Sequence, residues 1–228
     1  MNHIKRSRMF VIYTLIALLL IVGIFTITWL NNAEDASSKT ISESPSIAGQ
    51  PQDGNEQTKV SIVEFGDYKC PSCKIWGEQV WPQLKQDYID TGKATFAYIN
   101  TMFHGEESNL AAQASEVVYM NYPELFWEFH KAMFDEQPSQ ANHDDLWVTE
   151  TNVLEIAAAV IPDLDVEKFK TALYSQKILD ELDLDQQQVD QFNIQQTPTI
   201  VVNNIVMDNP FDYAAIQRAI EHELNIER

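Results

Sequence analysis

The chain has 228 residues, 45% of them hydrophobic and 11% aromatic, and a formal net charge of -19. That length and apolar share suit one ordinary domain with its own core, and only two cysteines exclude a disulfide-stapled scaffold. A surface this acidic repels phosphate backbones, which argues against nucleic acid as a partner.

The first eight residues carry Lys5, Arg6 and Arg8, and Met9 to Leu30 is then uncharged and apolar. A helix over 9–30 is long enough to cross a bilayer. Basic residues before it and acidic Glu34 and Asp35 after it place residues 1–8 in the cytoplasm and the rest outside. The competing reading is a cleaved secretory signal, but Trp29 to Ala36 offers no small-x-small site. No cysteine follows the stretch, which excludes a lipoprotein anchor. The expectation is an uncleaved single-pass membrane anchor. Residues 31–59 are rich in Ser, Glu, Asn, Gln, Pro and Gly, and read as a flexible tether.

A globular domain is expected over 60–228. Val60 to Phe65 is an apolar, β-branched strand, and Gly66 to Lys69 is a turn. Cys70-Pro71-Ser72-Cys73 opens a helix reaching about Tyr88, bent by Pro82. A second strand, 94–100, follows, so the unit implies parallel strands with a right-handed crossover. From about 106 to 190 the pattern is helical, with segments at 109–119, 123–134, 151–160, 166–179 and a last one reaching about Phe192. Thr197-Pro198 then precedes a hairpin (200–203 and 205–207), and 212–225 is an amphipathic helix. The order βαβ, helical block, ββα defines an α/β thioredoxin fold with an all-helical insertion.

The spacing of the cysteines carries the chemistry. A helix N-terminus favours a thiolate on the first cysteine, and two intervening residues let the second close a disulfide. Two other readings remain. A staple closing so small a loop stabilises little. A zinc site needs about four ligands, and His3, His104, His130, His143 and His222 show no paired spacing. In the redox reading Cys70 is the exposed nucleophile and Cys73 the resolving thiol. Glu64 is a carboxylate in an apolar strand; buried, it would relay protons to Cys73, whereas on an edge it would face solvent. From pattern alone, Thr197-Pro198 is a turn.

Glu64-Phe65-Gly66-Asp67-Tyr68-x-Cys70-Pro71-x-Cys73, Phe126-Trp127-x-Phe129-His130 and Thr197-Pro198-Thr199 occur in this order. With them the chain resembles the DsbA family of thiol-disulfide oxidoreductases over most of 60–225, and most of all its membrane-anchored Gram-positive BdbD branch. The resemblance implies an extracytoplasmic dithiol oxidase that donates the Cys70–Cys73 disulfide to exported proteins. It implies reoxidation by a quinone-linked membrane partner of the DsbB/BdbC type, and no cofactor beyond the redox disulfide. It makes Glu64 the buried acid and Pro198 a cis proline against the sulfurs, and assigns Pro71, Ser72 and the Thr197 backbone to the substrate. The strongest oxidants of the family carry His where Ser72 stands, so a weaker driving force follows from the neutral hydroxyl.

Phe126, Trp127 and Phe129 are read as core of the insertion rather than a substrate groove, and His104 and His130 as structural histidines. The acidic run Asp180, Glu181, Asp183 and Asp185 is read as a solvated helix face, with a structural Ca²⁺ on Asp180, Asp183 and Asp185 as the sharper alternative. Two functional rivals share these residues: a reductase or isomerase on the same fold, and a tethered non-enzymatic chaperone or binding domain.

Overall fold

The computed structural model describes residues 38–138 except Glu56, residues 145–226, and parts of 13–26. Half of the expected anchor, and the tail before it, lie outside the described residues. Among those described, no helix is long and apolar enough to cross a membrane.

Strand β3 (Ser61–Gly66) is central in a six-stranded sheet that also holds β1 (Ser38–Thr40), β2 (Gln52–Gly54), β4 (Thr95–Asn100), β5 (Thr199–Val202) and β6 (Ile205–Met207), in the order β1-β6-β5-β3-β4-β2. It pairs in parallel with β4 (Thr95–Asn100), and antiparallel with β5 (Thr199–Val202), which forms the hairpin with β6 (Ile205–Met207). Asn203 makes that hairpin turn possible by adopting φ 50. Alternation along β3 divides the core. Val63 and Phe65 pack with Ala97, Ile99, Val201, Val189 and Ile194 on one face. Ile62 faces the other way, toward Trp76, Leu84, Phe96, Ile200, Ile216 and Ile220. Glu64 shares the parity of Ile62, so it points at the helix that carries the cysteines.

The crossover from β3 to β4 is not one bent helix. Helix α1 (Pro71–Gln79) stops, α2 (Trp81–Leu84) restarts, and Lys85–Ile89 form a π turn. Pro82 lies in the first turn of α2, where its missing N–H costs nothing; inside a continuous helix it would remove a hydrogen bond. The insertion comprises α3 (Glu106–Asn121), a 3₁₀ turn at Pro123–Leu125, α4 (Phe126–Asp135), α5 (Glu150–Val160), α6 (Val166–Leu173) and α7 (Gln176–Gln191). The expected 166–179 helix divides at Tyr174 and Ser175, and its second half joins the acidic segment in α7. Helix α8 (Tyr213–Asn225) closes the chain.

The expected tether is corrected from Ser38 onward. Strand β1 (Ser38–Thr40) pairs with β6, and β2 (Gln52–Gly54) pairs with β4, so both sheet edges come from this segment. Beyond Ile41 and Ile47, which pack against the core, it has few large apolar side chains, and much of the segment is held through its backbone. Carbonyls of Gln50, Pro51 and Gln52 accept from Tyr119 Oη (2.9 Å), Tyr98 N (3.2 Å) and Trp127 Nε1 (3.0 Å). Gly54 makes the closest approach: it sits at φ +104, and an added Cβ would lie 2.8 Å from the Ala94 carbonyl oxygen. Gly54→Ala is therefore expected to lose about 2 kcal/mol of stability, read as a lower urea midpoint at unchanged slope.

Candidate active site

Cys70 is the N-cap of α1, with extended backbone (φ -74, ψ 119), and Pro71 occupies the first turn. The first-turn amides of Ser72 and Cys73 lie against the Cys70 sulfur, the Cys73 N–H also donating to the Cys70 carbonyl at 3.2 Å. Cys73 lies one turn further in at 1% exposure, but the expected exposed nucleophile Cys70 is itself largely buried at 7%, under the Thr197-Pro198 loop, and both thiols are free. Opposite them the Thr197-Pro198 bond is cis, and the Thr197 carbonyl accepts from the Cys70 thiol at 3.3 Å. Ser72 is exposed at the rim. The structure thus brings Cys70, Pro71, Ser72, Cys73, Thr197 and Pro198 to one end of the sheet.

The two sulfurs have opposite acidities. The Cys73 thiol donates to Cys70 and is the largest influence lowering the Cys70 pKa to about 6, with Thr197 and the Cys73 and Ser72 amides adding to it against desolvation. Burial, first of all, pushes Cys73 well above an ordinary thiol, and its hydrogen bond to Cys70 and the nearby Glu64 charge add to the rise. Glu64 sits in the central strand, not on an edge, and is only 3% exposed. Burial holds it protonated well above the usual carboxylate range, helped by the Cys70 charge. Its Oε1 has no hydrogen-bond partner among the described residues. It lines a cavity of about 460 Å³ with Cys73, Trp76, Trp81, Phe96, Trp127 and His130. Gly66 lets the strand pack beside this acid, because a Cβ there would fall 2.4 Å from the Tyr98 ring and 3.0 Å from Glu64 Oε1.

Several groups were not legible as site residues. Asp67 is fully buried in the turn before the cysteines, and its carboxylate accepts from Lys69 N (2.8 Å), Ser108 Oγ (2.8 Å) and Phe103 N (3.1 Å). An Asp two residues before its own acceptor's donor is an Asx turn, the one local signal that marks it. His104 pairs with the same carboxylate at 2.6 Å, so it belongs to the catalytic end after all. Gln137 comes from the insertion and donates to the Tyr68 (2.6 Å) and Cys70 (3.1 Å) carbonyls. Nothing in sequence spacing announces that contact.

The remaining candidates behave as core. Phe126 and Phe129 are buried in the insertion, while Trp127 bridges to Trp81 and Phe96 and walls the cavity. His130 is bonded through Nδ1 to Tyr68 Oη at 2.9 Å, and burial lowers its pKa to about 3, so it is neutral. The proposed calcium ligands do not converge. On α7, Asp180 and Asp183 face solvent, whereas Asp185 turns inward to accept from Gln50 Nε2 (2.7 Å) and Asn100 Nδ2 (3.0 Å). Among the described residues these three aspartates form no metal-binding group. Burial beside Glu116 pushes both acids upward, so the pair retains a proton rather than two full charges.

A cis-proline loop facing a C-x-x-C at a helix N-terminus, above a buried acid, defines a thioredoxin-fold thiol-disulfide oxidoreductase. The family profile described as Thioredoxin matches residues 48–222, and the chain belongs to that family. It is 39% identical over 197 residues to disulfide bond formation protein D of Bacillus subtilis, covering 85% of this chain and 86% of that one. The probable disulfide bond formation protein D of Bacillus anthracis is 33% identical over 92% of both chains. The crystal structure of oxidised BdbD from Bacillus subtilis superposes with a TM-score of 0.77, over 82% of this chain and all of that one. Chlamydia trachomatis DsbA, at 22% identity, shares the fold with a TM-score of 0.64, over 76% of this chain and 90% of that one.

The acidity difference sets a direct expectation. Iodoacetamide should modify Cys70 with a midpoint near pH 6 and leave Cys73 unmodified until the protein unfolds. Because the Cys70 pKa is depressed, its contribution to stability is complete above the unfolded thiol's value and vanishes as pH falls through about 6. Against Cys70→Ser, the reduced protein should therefore gain about 2–3 kcal/mol in urea denaturation between pH 5 and pH 8.

Proposed function

We propose that the protein is an extracytoplasmic dithiol oxidase that donates its Cys70–Cys73 disulfide to exported polypeptides. One feature carries the direction of transfer: Cys70 caps α1 with the first-turn amides and the Cys73 thiol against its sulfur, which depresses its pKa, while burial raises that of Cys73. Stabilising the product of reduction makes the disulfide an oxidant.

The steps balance as follows. A substrate thiolate attacks Cys70 Sγ, the Cys70–Cys73 bond breaks, and Cys73 leaves with the electron pair and takes a proton from Glu64. The substrate's second thiolate then attacks its own sulfur in the mixed disulfide, and Cys70 leaves as a thiolate held by the α1 amides and Cys73. The substrate loses two electrons and the enzyme holds them as a dithiol. Thr197, next to the sulfurs, supplies backbone for an extended peptide, and Pro71 and Ser72 form the other lip.

Reoxidation requires an acceptor for those two electrons, and a quinone-linked membrane oxidoreductase of the DsbB/BdbC type fits that need. An anchor over 9–30, preceded by Lys5, Arg6 and Arg8, would keep both enzymes at one membrane face, outside the cytoplasm where disulfides persist.

The test is oxidation of a reduced, unfolded protein by the purified oxidised domain. Cys70→Ser should abolish it, and Cys73→Ser, given a disulfide-bonded polypeptide instead, should trap a mixed disulfide through Cys70 as the polypeptide's other sulfur leaves as a thiol. Glu64→Gln should slow turnover roughly 10²-fold, the lower end of what a positioned proton donor contributes. A glutathione equilibrium strongly favouring the disulfide would instead support a reductase and sink the oxidase reading. Undiminished function in Cys70→Ser would support a non-enzymatic binding domain.

A further inference from the structure

The Asp67–His104 pair lies outside the steps described so far, yet it is wired directly into the dithiol turn. Asp67 touches both ends of the C-x-x-C through its backbone: its carbonyl accepts from Cys70 N at 3.0 Å, and its N–H is directed at Cys73 Sγ at 3.5 Å. Its carboxylate is fully buried, and His104 Nδ1 approaches one oxygen at 2.6 Å. His104 is held in place from its other side, since its backbone N–H donates to Ser108 Oγ at 3.0 Å and Ser108 donates in turn to Asp67. The ring itself remains 38% exposed, so it can exchange protons with solvent.

The charges around it decide its state. Asp67 faces it directly. From the same turn Lys69 opposes a charge on His104, but Lys69 is tied to Glu107 of α3 at 2.7 Å. Glu106 stands with Glu107 in the first turn of α3, just beyond Gly105. The remaining partner is Cys70, whose thiolate favours protonated His104; together with the Asp67 hydrogen bond it holds the imidazole above its ordinary pKa.

We propose that His104, carried as an imidazolium by buried Asp67, is a positioning residue whose charge stabilises the Cys70 thiolate and so sets how strongly the disulfide oxidises. This rests on the oxidoreductase reading of the site. Coupling of this kind is reciprocal: if the imidazolium favours the thiolate, the thiolate favours the imidazolium, and the disulfide, carrying no charge, does not. When a substrate dithiol reduces the enzyme above pH 6, two electrons enter, Cys73 gains one proton and Cys70 remains a thiolate. The substrate's second proton goes to solvent in the simple case. In the window between the two His104 titrations it stays on the imidazole instead. The imidazolium therefore strengthens the oxidant around neutral pH, where Cys70 is a thiolate and His104 is still charged, and the advantage fades as pH rises through the His104 titration.

The experiment is a glutathione redox equilibrium at pH 7 and pH 9, with NMR titration of His104 in the oxidised and reduced wild-type protein. His104→Gln keeps a donor for Asp67 without the charge. It is expected to shift the equilibrium toward the disulfide about three- to fivefold at pH 7, where Cys70 is mostly thiolate, from one screened unit charge at the rim, and less than twofold at pH 9. His104→Lys should retain the oxidising strength at pH 7 and extend it to pH 9. In the wild type, the His104 midpoint should fall on oxidation. Equal shifts for His104→Gln at both pH values, or no shift at either, would assign the pair a purely structural role and overturn the proposal. So would a His104 midpoint that is identical in both redox states, a measurement that needs no variant to fold. Failure of the wild-type protein to exchange with glutathione at all would overturn the oxidoreductase reading instead.

Discussion

Everything at this site depends on where α1 begins. Because Cys70 is the N-cap and Pro71 follows it, the first amides of the helix converge on one sulfur, and the other sulfur is carried a turn deeper into the core. A helix starting one residue earlier would bury Cys70 in its first turn and remove its sulfur from those amides. The same covalent motif thus yields a thiolate and a protonated thiol a few ångströms apart. The asymmetry belongs to the fold; neither cysteine has it alone.

That starting point is enforced from three directions. Asp67 holds the preceding turn by accepting from Lys69, Phe103 and Ser108, so the chain reaches Cys70 along a fixed path. Gln137 fixes the Tyr68 and Cys70 carbonyls from the insertion, and Lys74 reaches back to the Gln137 carbonyl at 3.2 Å. The Lys69–Glu107 pair joins the same turn to α3, while Glu107 accepts from the Trp147 and Val148 amides. The helical insertion is therefore more than a cover over the sheet. It clamps the dithiol turn from the side of α3 and the Gln137 segment.

Strong local patterns were readable, and contacts between distant backbone groups were not. The β-branched run before Cys70, the hairpin at Asn203 and the amphipathic α8 each state their conformation within a dozen residues. The role of Glu64 was half legible: a carboxylate among apolar residues marks a buried acid or an edge, and only the pairing of β3 on both sides selects burial. Residues 38–54 misled because strand edges are recruited through carbonyls and amides, which composition does not register. The acidic run of α7 misled for the opposite reason. Its side chains are alike in sequence, but helical rotation sends Asp185 into the core and Asp180 and Asp183 to water.

The acid beneath the sulfurs raises a problem that the rest of the architecture answers. A carboxyl group must be buried to stay protonated near neutral pH, yet a group sealed from water could serve only one proton transfer. The cavity beside α1 reconciles the two demands. Its walls of Trp76, Trp81, Phe96 and Trp127 keep the local dielectric low, so burial raises the Glu64 pKa, while its volume of about 460 Å³ accommodates several waters. The unpartnered Oε1 of Glu64 is the group that such water would satisfy. One of those walls, Trp127, is fixed by the Gln52 carbonyl of β2, the strand contributed by the segment whose composition reads as a tether. The apolar setting of Glu64 beside Cys73 thus depends on backbone pairing at the far edge of the sheet.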